Sequence, residues 1–306
     1  MSSTTSTVDL AFTDDELESS DFIPWYKQRK FQIIAGAGLC VACISAIAIP
    51  LIISSSSSTP EATQRAAVPM PKNLALWTNL AWGYKDEVQS DHYIVSVDMF
   101  DKSESYIQDL HDDGHWVLCY ISVGTIESWR PDANDFPSNC KGLDMADWEG
   151  ETWFKMTDQS CWPLMESRFK MARDKGCDGI EMDNMDCYVN KCISGKDSSD
   201  LKQPQIDYSK FLAETAHDYG MGAGQKNVPA LVDSLVNTFD LAVLEECNDY
   251  NECGYYNSFR DQNKAIVGVE YKSSSDNAGC SSAASTYGQS RKYQGKKNGE
   301  SVWKDC

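Results

Sequence analysis

The sequence predicts an α/β fold: a (β/α)8 TIM-like barrel behind a single N-terminal transmembrane helix. Three observations lead there. From Leu74 onward, short apolar runs alternate with amphipathic stretches, about eight units in roughly 230 residues, near the size typical of such barrels. The strand-like runs share a pattern: one parity is aliphatic, the other small and then charged towards its C-terminal end. Upstream, residues 31–53 form 23 consecutive positions without a charge, enough to cross a bilayer. A doubly wound open sheet competes, but no Gly-rich phosphate loop follows the first strand.

Taken in order, residues 1–30 are Ser/Thr-rich and acidic, with Asp14, Asp15, Glu16 and Glu18 close together, and are expected to be a disordered cytoplasmic tail. Lys27, Arg29 and Lys30 precede the apolar stretch, so the positive-inside rule orients 31–53 as a signal anchor of a single-pass type II protein at the plasma membrane. The rival, a cleaved signal peptide, has a shorter apolar core nearer the start. Residues 54–72 are small, polar and Pro-containing, a stalk at which the domain beyond it could be shed. Residues 73–306 are the barrel domain. Its strands are expected at 75–80, 93–100, 116–124, 179–184, 221–227, 241–247, 265–271 and, weakly marked, 291–294. Helices are expected at 103–112, 162–175, 205–219 and 229–239. Strand and helix in alternation imply parallel strands joined by crossovers.

The net charge of −19 argues against nucleic acid as a partner and permits a cationic one. Of 12 cysteines, Cys40 and Cys43 lie in the apolar stretch, and the even remainder suits an exported, disulfide-bonded domain. Spacing supports Cys140–Cys161, Cys187–Cys192, Cys247–Cys253 and Cys280–Cys306, while Cys119 and Cys177 are either paired or buried thiols. With four histidines and no repeated short-spaced cysteine pair, no metal or cofactor is expected.

The chemistry gathers around GCDGIEMDNMDCY, residues 176–188. Alternation puts Ile180 and Met182 on one face and Glu181 and Asp183 on the other. The same parity places Asp98, Lys226, Glu245 and Glu270 at the C-terminal mouth, where barrel enzymes keep their chemistry. Crowded carboxylates raise one another's pKa, and Lys226 among them would keep some ionised while others hold a proton. That division suits acid/base work at a glycosidic bond. Trp77 and Trp82 flank the first strand, Trp129 follows the third, and Tyr188 and Tyr250 follow acidic strand ends. Such rings stack on sugar C–H faces, and an acidic aromatic cleft attracts an amino sugar's cation.

CYISVGTIESWRPD (119–132), WEGETWFKM (148–156), KGCDGIEMDNMDCY (175–188), GQKN (224–227), LEECNDYNEC (244–253) and VGVEY (267–271) occur in order. Together they resemble glycoside hydrolase family 114, the endo-α-1,4-polygalactosaminidases, across residues 74–272. The resemblance implies a TIM-like barrel that hydrolyses α-1,4-linked galactosamine polymers such as the galactosaminogalactan of fungal walls and biofilms. The anchored, acidic-tailed form is similar to a fungal member. By position, Asp183 and Glu245 would be the catalytic carboxylates, one nucleophile and the other acid/base. Asp98, Glu181, Asn184, Asp186, Lys226, Asn227 and Glu270 would line the sugar site, joined by the aromatics Trp77, Tyr120, Tyr188 and Tyr250. Where family members often have Asn before the catalytic glutamate, this chain has Leu244, whose side chain should point outward. The implied partner is a cationic galactosamine-containing polysaccharide, acted on by a monomer. Two alternatives stand beside this: a wall-polysaccharide-binding barrel without catalysis, and a metal-dependent hydrolase using Asp183, Asp186 and Glu181 as oxygen ligands.

Overall fold

The computed structural model describes residues 80–82, 88, 93–146, 148–247, 250–270, 290–297 and 300–305, with the backbone alone for 80–82 and from 269 onward. The expected tail, anchor and stalk lie outside the described residues, as do Trp77, Cys280 and Cys306. Among the described residues no helix is long and apolar enough to cross a membrane.

The strands are β1 (Leu80–Trp82), β2 (Ile94–Asp98), β3 (Trp116–Ser122), β4 (Thr125–Glu127), β5 (Lys141–Asp144), β6 (Glu151–Phe154), β7 (Gly179–Asp183), β8 (Gly222–Lys226), β9 (Leu241–Glu245), β10 (Ala265–Glu270), β11 (Ser290–Lys297) and β12 (Glu300–Asp305). The helices are α1 (Glu104–Asp112), α2 (Trp162–Lys175), α3 (Ser198–Asp218), α4 (Val232–Leu235) and α5 (Asn257–Asp261). The main sheet runs β1-β2-β3-β7-β8-β9-β10-β11-β12. Every neighbouring pair in it is parallel except β11 with β12. Seven of the eight expected strands are found, while of the first, expected at 75–80, only Leu80 lies among the described residues, at the start of β1; the sheet curls in the manner of a TIM-like fold. Among the described ladders none joins β1 to β11 or β12.

Local chemistry accounts for the helix ends. Ser103 caps α1 by accepting from Tyr106 N–H. Pro163 opens α2, and Gly176 closes it at φ 94, a left-handed backbone that glycine adopts without strain. The helix expected at 205–219 is found as α3 but starts earlier, where Asp197 and Asp200 form a reciprocal capping box, and Pro204 sits inside it. The helix expected at 229–239 shrinks to a 3-10 turn at Pro229–Leu231 and the short α4. Val236, Asn237 and Thr238, which follow α4, are poor helix formers.

Register fixes which row of side chains faces inward. Tyr120 pairs with Glu181, Ser122 with Asp183, Glu181 with Gly224, and Lys226 with Val243. The opposite row (Val95, Val97, Cys119, Ile121, Ile180, Met182, Ala223, Ala242, Leu244) forms the core with the helices. Leu244 is 1% exposed, outward as expected. Low in the inner row, Gly179 leaves room for Trp116, since a Cβ there would sit 2.1 Å from the indole. β10 departs from expectation. Val269, not Glu270, pairs with Glu245, so Glu270 occupies a register position in the row of Leu244 and Ile266. Its side chain is outside the described ones.

Among the described residues four disulfides staple the fold: Cys119–Cys177, Cys140–Cys161, Cys187–Cys192 and Cys247–Cys253. Three were expected from spacing, and the open question over Cys119 and Cys177 resolves as a bond between them. The sequence patterns did not signal the small antiparallel sheet β4-β6-β5 inserted between β3 and α2.

Candidate active site

Three consecutive strands, β7, β8 and β9, end in Asp183, Lys226 and Glu245. In each, the next residue is left-handed: Asn184 at φ 61, Asn227 at φ 51 and Glu246 at φ 53. The backbone thus turns sharply as soon as the charged side chain has been presented.

Lys226 is the hub. It is 4% exposed, and its Nζ lies 3.2 Å from Asp183 Oδ1, 3.4 Å from Glu245 Oε2 and 3.4 Å from Glu181 Oε1. The Asp183 and Glu245 oxygens can be no farther apart than those two contacts laid end to end, about 6.6 Å. Burial pulls the Lys226 ammonium towards neutrality, but Asp183, Glu245 and Glu181 outweigh it and hold its pKa above that of an ordinary lysine. Tyr120 donates its hydroxyl to Asp183 Oδ2 at 2.8 Å, and its ring lies 5.3 Å from Lys226 Nζ. Burial, then Asp183, drives the Tyr120 phenol well up, so it remains a donor. Asn227 accepts from the Glu245 amide at 2.9 Å and donates to Glu245 Oε2 at 3.4 Å.

Glu181 sits beneath, with no exposure. Ser96 donates to its Oε2 at 2.6 Å from a strand two places away. Burial pushes its carboxyl up to about 7 despite Lys226 and Ser96. Asp186, just beyond β7, is raised by burial and then by Asp183, and its Oδ1 is buried without a hydrogen-bond partner among the described residues.

Other expected site residues lie elsewhere. Asp98 points inward but is clasped by Arg130, Nη1 to Oδ1 at 2.9 Å and Nη2 to Oδ2 at 2.8 Å, rather than by Lys226. Arg130 also grips Glu127. Asn184 turns to Ser122 and Thr125. Tyr188 is buried at 5% exposure, its phenol raised to about 12 by burial, then by Asp186 and Glu252. Tyr250 is 68% exposed on the connection after β9. Sequence reasoning missed Ser96, Glu127, Arg130 and Glu151 as site residues. A signal was present: WRPD and WEGE place charges beside apolar strand residues.

Comparison with known proteins fits this geometry. The family model of glycoside-hydrolase family GH114 matches residues 57–305. The chain belongs to glycoside hydrolase family GH114. Membership in GH114 makes it a glycosidase. Among solved structures it is similar to Aspergillus fumigatus Ega3 in complex with galactosamine, at 30% identity over 74% of this chain and 94% of that one, with a TM-score of 0.64. The glycoside hydrolase domain of PelA from Pseudomonas aeruginosa shares the fold, at 14% identity over 73% of this chain and 97% of that one, with a TM-score of 0.57. A search of curated proteins found no match.

Proposed function

We propose that this GH114 member is an endo-acting hydrolase of α-1,4-linked galactosamine polymers, working through Asp183 and Glu245 at the mouth of a (β/α)8 barrel. The observation that carries the reading is one buried ammonium, Lys226, holding carboxylates from two strands. The reading favours retention, in which the two carboxyls stand roughly 5–5.5 Å apart, because Asp183 and Glu245 each bring an oxygen to the same ammonium.

In this reading Asp183 is the nucleophile, because Tyr120 and Lys226 engage both its oxygens and orient it. Glu245 is the acid/base, the more exposed at 26% against 18%, with access to the water it must activate. Asp183 attacks the anomeric carbon while Glu245 gives its proton to the departing glycosidic oxygen. Water then loses a proton to Glu245, attacks the same carbon and releases Asp183. Lys226 and Tyr120 hold Asp183 on its path as its charge comes and goes.

Substrate class rests on three supports. Ega3 was seen with galactosamine. Glu181, Asp183 and Glu245 surround Lys226, and Asp186 lies close enough to feel Asp183 and Glu245, an excess of carboxyls that favours a cationic sugar. Among the described residues the exposed large apolar side chains Trp129, Val189, Tyr250 and Tyr255 lie on connections leaving the C-terminal ends of strands, which suits an extended chain. The barrel is proposed to stand outside the plasma membrane, tethered by residues 31–53; protease protection of intact cells tests that.

Asp183→Asn and Glu245→Gln are expected to lose at least about 1,000-fold in kcat on deacetylated α-1,4-galactosamine polymer while still binding it. Full activity in both variants removes these roles. Wild-type binding without reducing-end release would make the protein a binding barrel.

A further inference from the structure

The insertion between β3 and α2 buries polar groups where a core needs none. β4 and β6 place Glu127 opposite Glu151, and the two are 4% and 5% exposed. Glu127 has Arg130. Glu151 has a hydroxyl chain instead. Its Oε2 lies 2.6 Å from Thr125 Oγ1, which lies 2.5 Å from Ser122 Oγ, which lies 2.9 Å from Asn184 Nδ2.

Donors fix the direction of this chain. The Asn184 amide nitrogen can only donate, and the Thr125 backbone N–H also donates to Ser122 Oγ, at 3.2 Å. With its lone pairs occupied, Ser122 must donate to Thr125, and Thr125 to Glu151. The chain therefore runs one way and ends on a carboxyl oxygen.

Its other end adjoins the catalytic centre. Asn184 is the left-handed residue after Asp183. The amides of Val123 and Gly124 both donate to the Asp183 carbonyl, at 3.0 and 3.2 Å. Gly124 lies so close that a Cβ would fall 1.6 Å from the Asn184 carbonyl oxygen. The corner that carries the hydroxyls also grips the Asp183–Asn184 peptide.

We propose that Glu151 is a positioning residue for Asp183: as terminal acceptor of the Asn184–Ser122–Thr125 chain, it holds the left-handed turn that aims the Asp183 carboxylate. The inference rests on the role of Asp183 proposed above. A protonated Glu151 would donate to Thr125, Thr125 would donate to Ser122, and Asn184 would have to share Ser122 with Thr125, keeping otherwise its longer contact to Thr125 Oγ1 at 3.4 Å. Burial, with Glu127 on β4 and Asp183 on β7, disfavours the charge on Glu151, while the Thr125 hydroxyl and Arg130 favour it. The balance lifts the carboxyl to about 7, so the chain is set to reverse near neutrality.

The test uses the whole barrel domain with Glu151→Gln, Glu151→Ala, Ser122→Ala and the double alanine variant, assayed on deacetylated α-1,4-galactosamine polymer. Glu151→Gln keeps an acceptor but does not titrate. It should retain kcat within about threefold at pH 8 and fall less than wild type in kcat/KM below roughly pH 7, where Glu181 still titrates. Glu151→Ala and Ser122→Ala should each lose about 10- to 100-fold in kcat with KM little changed, and the double variant should lose no more than the worse single one. Multiplicative losses, or a Glu151→Gln profile superimposed on wild type, overturn the proposal. If Glu151→Ala does not fold, Ser122→Ala and Glu151→Gln decide. Crystal structures of those two variants give a readout free of substrate: the Asp183 carboxylate should leave Lys226 in Ser122→Ala and stay in Glu151→Gln. A wild type that cleaves no galactosamine polymer fails the catalytic reading, whereas an unmoved Asp183 in Ser122→Ala fails this one.

Discussion

Replacing Lys226 by methionine tests the electrostatic heart of the site. The side chain is buried, and methionine roughly matches its length. The change strands Glu181, Asp183 and Glu245 without their shared cation. Removing one partner of a buried ion pair costs about 3–5 kcal/mol, and that is the loss expected at pH 9. The loss should depend on pH, because a stranded carboxylate can take up a proton. Lysine itself adds no slope here: its folded pKa is raised, so its stabilisation is complete below the unfolded value near ~10.4. Glu181 sits at about 7 with Lys226 present and must rise when the ammonium is gone. Between that higher value and about 7 the variant's native state holds one proton that wild type lacks. The deficit should therefore shrink by up to about 1.4 kcal/mol per unit as pH falls through this window. Below about 7 both proteins are protonated at Glu181 and the difference should level off. Urea denaturation of both proteins, disulfides intact, at pH 9, 8, 7 and 6 measures the curve. A deficit under ~1 kcal/mol at pH 9, or one independent of pH, refutes the reasoning.

Three further outcomes are expected. Gly124→Ala drives a methyl into the Asn184 carbonyl, so it should destabilise by about 3 kcal/mol and abolish activity, read by denaturation and polymer cleavage. His217 is bonded to Asp240 at 2.7 Å, and that bond, set against burial, raises its pKa. Its contribution is fully present below the unfolded value near ~6.5 and lost as pH rises through the folded one, so His217→Gln should cost under ~1 kcal/mol at pH 5.5 and nothing at pH 9. Trp129 is 49% exposed after β4, and Trp129→Ala should lower kcat/KM about tenfold on long polymer while sparing short oligomers; equal losses on both would remove it from the sugar path.

Much of this protein was legible in the order of its residues. Strand side chains alternate strictly, so β2, β3, β7, β8 and β9 disclosed both their existence and their inward row. The bonds Cys187–Cys192 and Cys247–Cys253 span separations of 5 and 6, where proximity along the chain nearly ensures proximity in space. Cys119–Cys177 spans 58 and needed β3 and β7 to become neighbours first. Glu270 shows the limit of parity. Alternation separates two faces, but only pairing with β9 decides which face is which, and a one-residue slip inverts it. The antiparallel insertion escaped notice because its strands have three to four residues, too few to establish a period.

By itself, the amino-acid order singled out the candidates for the chemistry: Asp183, Lys226 and Glu245 each close a short apolar run and cannot serve that run's packing. Only the folded chain decided who holds whom. Asp98 has the same charge and parity as Asp183, yet Arg130, 32 positions away, claims it, while Lys226 gathers the other three. Electrostatic partnership falls steeply with distance, and distance between segments exists only after the sheet has curled.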